Sequence, residues 1–334
     1  MCLTHLRRES LTIGKLLNIT FPQRLMSVSS QVALITGASS GLGVHFAREL
    51  ARRNWDLVIT ARRQSRLLRL QKELQDAHDV QVHPIALDLS GRDGARQLFD
   101  EVESLQYNVR VLVNNAGVGH YGPMVDQPLE SIDNMIQLNL ASLTTLTRLF
   151  ADRMKATGGG HILQNASFSG FTPVPRYAVY AATKSYVLSL AQAMRYELHR
   201  HHVNVSVLCP GFAQSGFFET AGHEPTRWMR MMTLDPAKVA HSGIKGLFRG
   251  RAVIVPGLLY KAYALALRMM PRSMACALAA GVIKSQTLSQ TLSPSQSQMQ
   301  DDGSLLVARP HDGDVVEEDQ PVQVSEFGET QRAG

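Results

Sequence analysis

Three residues stand at spacings that suit proton chemistry on a carbonyl: Ser167, Tyr180 and Lys184. Within Tyr180-Ala-Ala-Thr-Lys184 the phenol and the ammonium lie four residues apart, so on a helix they share one face. A nearby cation favours the phenolate and lowers a tyrosine pKa from its ordinary value of about 10. Bringing that value near neutrality takes roughly 3–4 kcal/mol of differential interaction. The spacing therefore predicts a depressed phenol pKa, suited to a general acid acting on a carbonyl oxygen. Upstream, Gly160-His-Ile-Leu-Gln-Asn-Ala-Ser167 reads as a short strand ending in a small hydroxyl residue. A strand end that feeds a loop and then a helix can set Ser167 opposite Tyr180. Taken alone, a Tyr-x-x-x-Lys pair equally describes a solvated or packed pair on an ordinary helix. The rest of the chain has to decide.

The elements around these residues alternate. Val32–Thr36 is a continuous apolar run, the pattern of a strand buried on both faces of a parallel sheet. Further strands are expected at Asp56–Thr60, Val80–Leu87, Val109–Val113, Gly160–Ser167, Val203–Cys209 and Ala252–Val255. Helical segments separate them, including one long helix from Pro128 to about Thr157 and another that carries Tyr180 and Lys184. Strands alternating with helices predict an α/β fold with a single doubly wound parallel sheet, Rossmann-like, of about seven strands flanked by helices. Such sheets bind ligands beyond the carboxyl ends of their strands.

The first of those ends carries Thr36-Gly-Ala-Ser-Ser-Gly-Leu-Gly43 between a strand and a helix. Glycines there permit a tight turn and close backbone approach to a pyrophosphate at the helix N-terminus. Gly37, Ser39, Ser40, Gly41, Leu42 and Gly43 are therefore the candidate phosphate cradle. About 18 residues beyond Gly43, where an acid would bind a ribose 2′-hydroxyl, the chain has Ala61 followed by Arg62 and Arg63. No carboxylate repels a 2′-phosphate, and arginine binds phosphate bidentately, which favours NADP over NAD. The same two arginines could instead open a solvated helix. Asn114-Asn-Ala-Gly117 ends the fourth strand, Asn139 lies in the long helix, and Pro210-Gly211 follows the sixth strand.

Together these motifs resemble the short-chain dehydrogenase/reductase family over 31–255, with their order and spacing intact. The resemblance rests on Thr-Gly-x-x-x-Gly-x-Gly, Asn-Asn-Ala-Gly, a serine thirteen residues before Tyr-x-x-x-Lys, and Pro-Gly. It implies Tyr180 as proton donor or acceptor and Lys184 as the group holding the nicotinamide ribose. It also implies Ser167 as hydrogen-bond partner of the substrate oxygen, and Asn139 as the residue ordering a water that links Lys184 to solvent. Asp88 matches an adenine contact. Asn115, Ala116, Gly117, Pro210 and Gly211 match cofactor contacts. Ser215 replaces the family's usual threonine after Pro-Gly, with a hydroxyl that can still bond the carboxamide. Ser169 competes with Ser167, and Asn-Ala-Ser-x-x-Gly favours Ser167. Val174-Pro-x-x-x-Val-Tyr180 further resembles ketoreductase-like members and, through them, the very-long-chain ketoacyl-CoA reductase and hydroxysteroid dehydrogenase branch.

The expected activity is NADP(H)-dependent carbonyl–alcohol interconversion, with no metal implied. The competing expectation is a nucleotide-binding regulator or scaffold that keeps the fold without the reaction. Phe212–Thr233, with Phe217, Phe218, Trp228, Met229, Met231 and Met232, is expected to be a lid, favouring an apolar substrate such as a ketoacyl, steroid-like or lipid carbonyl. A homodimer or homotetramer through the helices at Pro128–Thr157 and Tyr177–His202 is what the resemblance implies.

Composition sets the remaining bounds. Of 334 residues, 44% are hydrophobic and 19% charged, the balance of an ordinary globular protein. From Ser285 onward nine acidic residues face two arginines, so that stretch carries −7 and the remainder +13. A basic body suits phosphorylated cofactors, acyl-CoA-like substrates or an anionic membrane surface. Nucleic acid is not expected, because the cations are dispersed and aromatics make up only 6%. Cys2, Cys209 and Cys276 form neither a zinc spacing nor a disulfide framework, which suggests a reducing, cytoplasmic setting. Residues 1–30 read as a leader outside the fold or an over-extended start ahead of Met26. Residues 257–284 are apolar with scattered cations: helices packed on the body, or a peripheral membrane contact. The acidic 285–334 reads as disordered.

Overall fold

The computed structural model describes residues 31–291, Ser215 excepted; for Trp228 and residues 283–291 it describes the backbone alone. The leader, the acidic stretch beyond Thr291 and Ser215 lie outside the described residues. Seven parallel strands form one sheet: β1 (Val32–Thr36), β2 (Asp56–Ala61), β3 (Val82–Ala86), β4 (Val109–Asn114), β5 (Gly160–Asn165), β6 (Val203–Leu208) and β7 (Val253–Ile254). Their spatial order is β3-β2-β1-β4-β5-β6-β7. The chain winds outward from β1 in one direction, returns, and continues from β4 in the other. That reversal leaves a crevice at the carboxyl ends of β1 and β4.

Period-two alternation divides each strand between two cores. Ala33, Ile35, Leu57, Ile59, Val111 and Val113 face one side, under α1 (Gly41–Ala51), α2 (Gln64–Ala77) and α9 (Pro236–Phe248). Val32, Leu34, Val58, Leu112 and Ile162 face the other, under α3 (Gly94–Ser104), α5 (Leu143–Ala156) and α6 (Ala178–Leu198). Both faces are covered, which explains why the strands read as continuous apolar runs.

The long helix departs from expectation. It comprises α4 (Leu129–Ile136), a π-helical stretch at Gln137–Ser142, and α5. Widened turns of this kind occur where a side chain has to be re-aimed. Here the widened stretch carries Asn139. The segment after β6 holds two short helices, α7 (Phe217–Thr220) and α8 (Arg227–Met231). Beyond β7, α10 (Leu258–Met269) and α11 (Arg272–Thr291) are separated at Pro271, and α11 continues past Lys284 into Ser/Gln-rich sequence. Tyr260, Ala264 and Leu267, one helical stripe of α10, are buried. That stripe of α10 packs on the body, while Leu258, Leu265 and Met269 of the same helix are exposed. No helix among the described residues is long and apolar enough to cross a membrane.

Candidate active site

The glycine-rich turn closes where a side chain would not fit. Gly37 has φ +70°, and a Cβ on Gly43 would sit 2.2 Å from the Gly37 carbonyl oxygen. The turn delivers the N-terminus of α1 to the crevice, with its unpaired amides and positive dipole end. Ser40 occupies the cap position without capping through its side chain. Its hydroxyl and that of Ser39 instead accept hydrogen bonds from Arg63 Nη2, at 3.0 and 3.1 Å. Arg62 points elsewhere, to 3.9 Å from the Asp88 carboxylate, with both side chains largely exposed. Burial pushes Asp88 up, but hydrogen bonds from Ser90 and the nearby Arg62 outweigh it and leave the carboxyl below its ordinary range.

Asn115 locks this turn to the neighbouring strand ends. The Asn115 and Ala116 amides both donate to Thr36 Oγ1 at 2.9 Å, and Asn115 Nδ2 donates to the Thr36 carbonyl at 2.9 Å. Asn165 Nδ2 reaches Asn115 Oδ1 at 2.9 Å, tying β5 into the same network. Gly117 lies against Asn139 and Lys184, where an added Cβ would be 3.1 Å from Asn139 Oδ1 and 3.4 Å from Lys184 Nζ. Gly211 is equally constrained, since its Cβ would fall 2.0 Å from Tyr260 Cζ. A helix N-terminus, two hydroxyls held by an arginine, and glycine-lined floors together fit a phosphorylated dinucleotide.

At the other end of the crevice, α6 presents Tyr180 and Lys184 on one face. Ser167 leaves β5 in extended conformation; its Oγ accepts the Ser169 amide at 3.2 Å and its side chain hydrogen-bonds the Tyr180 phenol. Between the rival serines, the structure therefore brings Ser167 to the phenol. Lys184 is buried, donates to the Asn165 carbonyl at 3.0 Å, and stands 5.6 Å from the centre of the Tyr180 ring. The π-helical stretch aims Asn139 across to the loop after β4. Val118 N donates to its Oδ1 at 3.0 Å, and its Nδ2 donates to the Val118 carbonyl at 2.8 Å and to Thr183 Oγ1 at 3.2 Å. The Asn139 side chain thus clamps the β4 loop to α6.

One expectation is corrected. The phenol of Tyr180 is not depressed; burial pushes it up to about 12, only partly offset by the hydrogen bond from Ser167. Lys184 donates one N–H to the Asn165 carbonyl and lies by the ring, while its own burial lowers it to about 8. Desolvation overrides the i,i+4 attraction that spacing alone suggested.

The glycine turn, Arg62, Arg63, Asp88, Asn115, Ser167, Tyr180 and Lys184 open into one cavity of about 1220 Å³, which continues past Tyr180 between the lid and the C-terminal helices. A family model for short chain dehydrogenases matches residues 31–225. The chain belongs to the short-chain dehydrogenase/reductase family. Among relatives, a sulfoacetaldehyde reductase of Chromohalobacter salexigens is 34% identical over 56% of this chain and 75% of its own. A very-long-chain 3-oxoacyl-CoA reductase of Danio rerio is 31% identical over 54% of this chain and 57% of its own. A Sphingobium yanoikuyae short-chain dehydrogenase in complex with NADPH shares 28% identity, covering 81% of this chain and all of its own at a TM-score of 0.66. A Burkholderia phymatum family member in complex with NAD shares 26%, covering 70% and 92% at a TM-score of 0.64. Membership makes this chain one of an oxidoreductase family that acts on alcohols and carbonyls.

This short-chain dehydrogenase/reductase also has cleft residues that sequence reasoning missed. Tyr177, one helical turn before Tyr180, bonds His223 Nδ1 at 2.6 Å, and His223 stacks on Tyr121 with ring centres 4.1 Å apart. Phe217, an expected lid residue, packs against the Tyr180 ring at 5.0 Å. Of the expected lid residues, Phe217, Phe218, Met229 and Met232 line the cavity, while Met231 is exposed. The i−3 spacing to Tyr180 could have flagged Tyr177. No local signal marks His223 or the α10 residues, because their approach is purely tertiary.

Proposed function

We infer that this family member is an NADP(H)-dependent oxidoreductase interconverting a carbonyl and an alcohol, with an apolar carbonyl compound as substrate. The convergence of Ser167, Tyr180 and Lys184 at the mouth of the dinucleotide crevice carries this reading. The bound dinucleotide would supply the hydride. Ser167 would hold the substrate oxygen, and Tyr180 would donate its proton as negative charge builds there. A phenol held near 12 is fully protonated at neutral pH, the state a donor needs in the reductive direction. Lys184 would then face the nascent phenolate, a charge that exists only once the proton has moved, so its help is concentrated in the transition state. Asn139, by clamping Val118 and Thr183, would hold the floor under Lys184 in register and lead toward solvent.

Preference for NADP is supported by Arg63 on the Ser39 and Ser40 hydroxyls, with Ala61 in place of an acid. The apolar substrate is supported by the aromatic and methionine lining of the cavity. Assembly through α4, α5 and α6 as a homodimer or homotetramer, a cytoplasmic setting, and peripheral contact of α10 with membranes belong to the same proposal. Purified protein incubated with NADPH and a carbonyl panel, followed by NADPH absorbance, tests it. Turnover that Tyr180→Phe abolishes is the expected result. Nucleotide binding without turnover on any carbonyl would favour a regulatory scaffold.

A further inference from the structure

Two adjacent stripes of α10 have different surroundings. Tyr260, Ala264 and Leu267 are buried on the body. Leu259, Ala262, Tyr263 and Ala266, at i, i+3, i+4 and i+7, line the same cavity as Ser167 and Tyr180. Ala279 and Val282 of α11, three residues apart and so on one face, line it as well. The Tyr260 hydroxyl fixes α10 there: it accepts from the Phe212 amide at 3.1 Å and donates to the Met232 carbonyl at 3.0 Å. Phe168, next in sequence to Ser167, stacks on Tyr263 with ring centres 5.2 Å apart and meets Tyr260 edge-on at 5.3 Å. The wall therefore runs without a break from the Ser167 hydroxyl to the C-terminal helices.

The C-terminal part of this wall, from Leu259 to Val282, presents Leu259, Ala262, Ala266, Ala279 and Val282 with the tyrosine rings of Tyr260 and Tyr263, and none of these side chains is charged. Its α10 stripe extends about 10 Å at 1.5 Å per residue. Alanine at 266 and 279 keeps the middle of the wall open.

We propose that α10 and α11 form a channel for the alkyl chain of the substrate, and that Ala266 and Ala279 determine how long a chain it accepts. The proposal rests on the carbonyl-reductase reading and makes it specific: the substrate is a carbonyl at or near the end of an extended aliphatic chain.

The test compares the full chain with Ala266→Phe and Ala279→Phe on methyl ketones from butanone to tridecanone. For the parent protein, kcat/KM should climb about fourfold for each methylene that becomes buried, then level off. Either phenylalanine should cut the tridecanone value tenfold or more while leaving butanone within twofold. Ala266 is exposed, so its replacement tests the channel even if Ala279→Phe fails to fold. Fluorescence titration of the NADPH-loaded protein with cis-parinaric acid reads the channel without turnover, and both variants should bind this probe at least tenfold more weakly. An unchanged long-to-short ratio, or equal probe binding in well-folded variants, would overturn the channel. Absence of turnover on every ketone alongside the expected loss of probe binding would overturn the reductase reading and leave the channel standing.

Discussion

Replacing Arg63 by leucine should convert cofactor preference, and replacing Arg62 should not. Arg63 Nη2 lies on the Ser39 and Ser40 hydroxyls at the N-terminus of α1, whereas Arg62 reaches out to Asp88 at 3.9 Å. A charge-assisted hydrogen bond is worth about 1.5–3 kcal/mol, toward the low end where water competes. Two parallel bonds from a guanidinium to a 2′-phosphate, discounted for the exposure of this rim, give a loss of about 2–3 kcal/mol. That corresponds to a 30- to 150-fold fall in kcat/KM for NADPH, at about 1.4 kcal/mol per factor of ten. NADH lacks the phosphate, so its kcat/KM should stay within about twofold, the residual being lost packing. Arg62→Leu should cost NADPH less than about 1 kcal/mol, because an exposed pair contributes little. The assay is initial-rate kinetics with each nucleotide at subsaturating concentration. Raising ionic strength should narrow the gap between parent and Arg63→Leu. Equal losses for both nucleotides would refute the reasoning, and so would an Arg62→Leu effect larger than that of Arg63→Leu.

Three further outcomes are expected. Tyr180→Phe should lower kcat by about 10²- to 10⁴-fold with NADPH affinity unchanged, since only the proton donor goes; retention of more than a few per cent of turnover would exclude Tyr180 as that donor. Lys184→Met should inactivate the enzyme yet stabilise the nucleotide-free protein. The buried ammonium is lowered to about 8 from an ordinary 10.5, a penalty of about 3 kcal/mol reduced by the lost bond to Asn165, for a net gain of about 1–3 kcal/mol. Because the folded value lies below the unfolded one, the penalty is full below about 8 and fades as pH rises toward 10.5. Denaturant melts at neutral and high pH check the sign, and a destabilised variant at neutral pH would contradict it. Protein ending at Thr291 should co-sediment with anionic vesicles more than the full chain does, and salt should weaken the effect. Leu258, Leu265 and Met269 are exposed beside Lys261 and Arg268, each cation being worth about 1 kcal/mol near such a surface. Absence of binding by both forms at low salt would show that α10 serves the protein body alone.

The sequence by itself determined the sheet, its parallel character and the residues at its strand ends. Strands covered on both faces leave continuous apolar runs, and a phosphate turn demands glycines where a Cβ would strike the backbone, as Gly43 does against Gly37. Both are local demands written into residue type. The Tyr180–Lys184 face was legible for the same reason, being set by helical spacing. Tertiary structure decided what local spacing cannot carry. It set Arg63, and not Arg62, on the Ser39 and Ser40 hydroxyls, because side-chain direction depends on where α2 begins after β2. It reversed the direction of the Tyr180 pKa shift, because desolvation is a sum over everything packed around the phenol. It turned the long helix into a π-helical clamp at Asn139, and it brought Tyr177, His223 and the stripe of α10 into the cleft. His223 and the α10 residues are more than fifty positions from Ser167 in the chain, and only the packing of α10 and the lid over the sheet edge makes them neighbours.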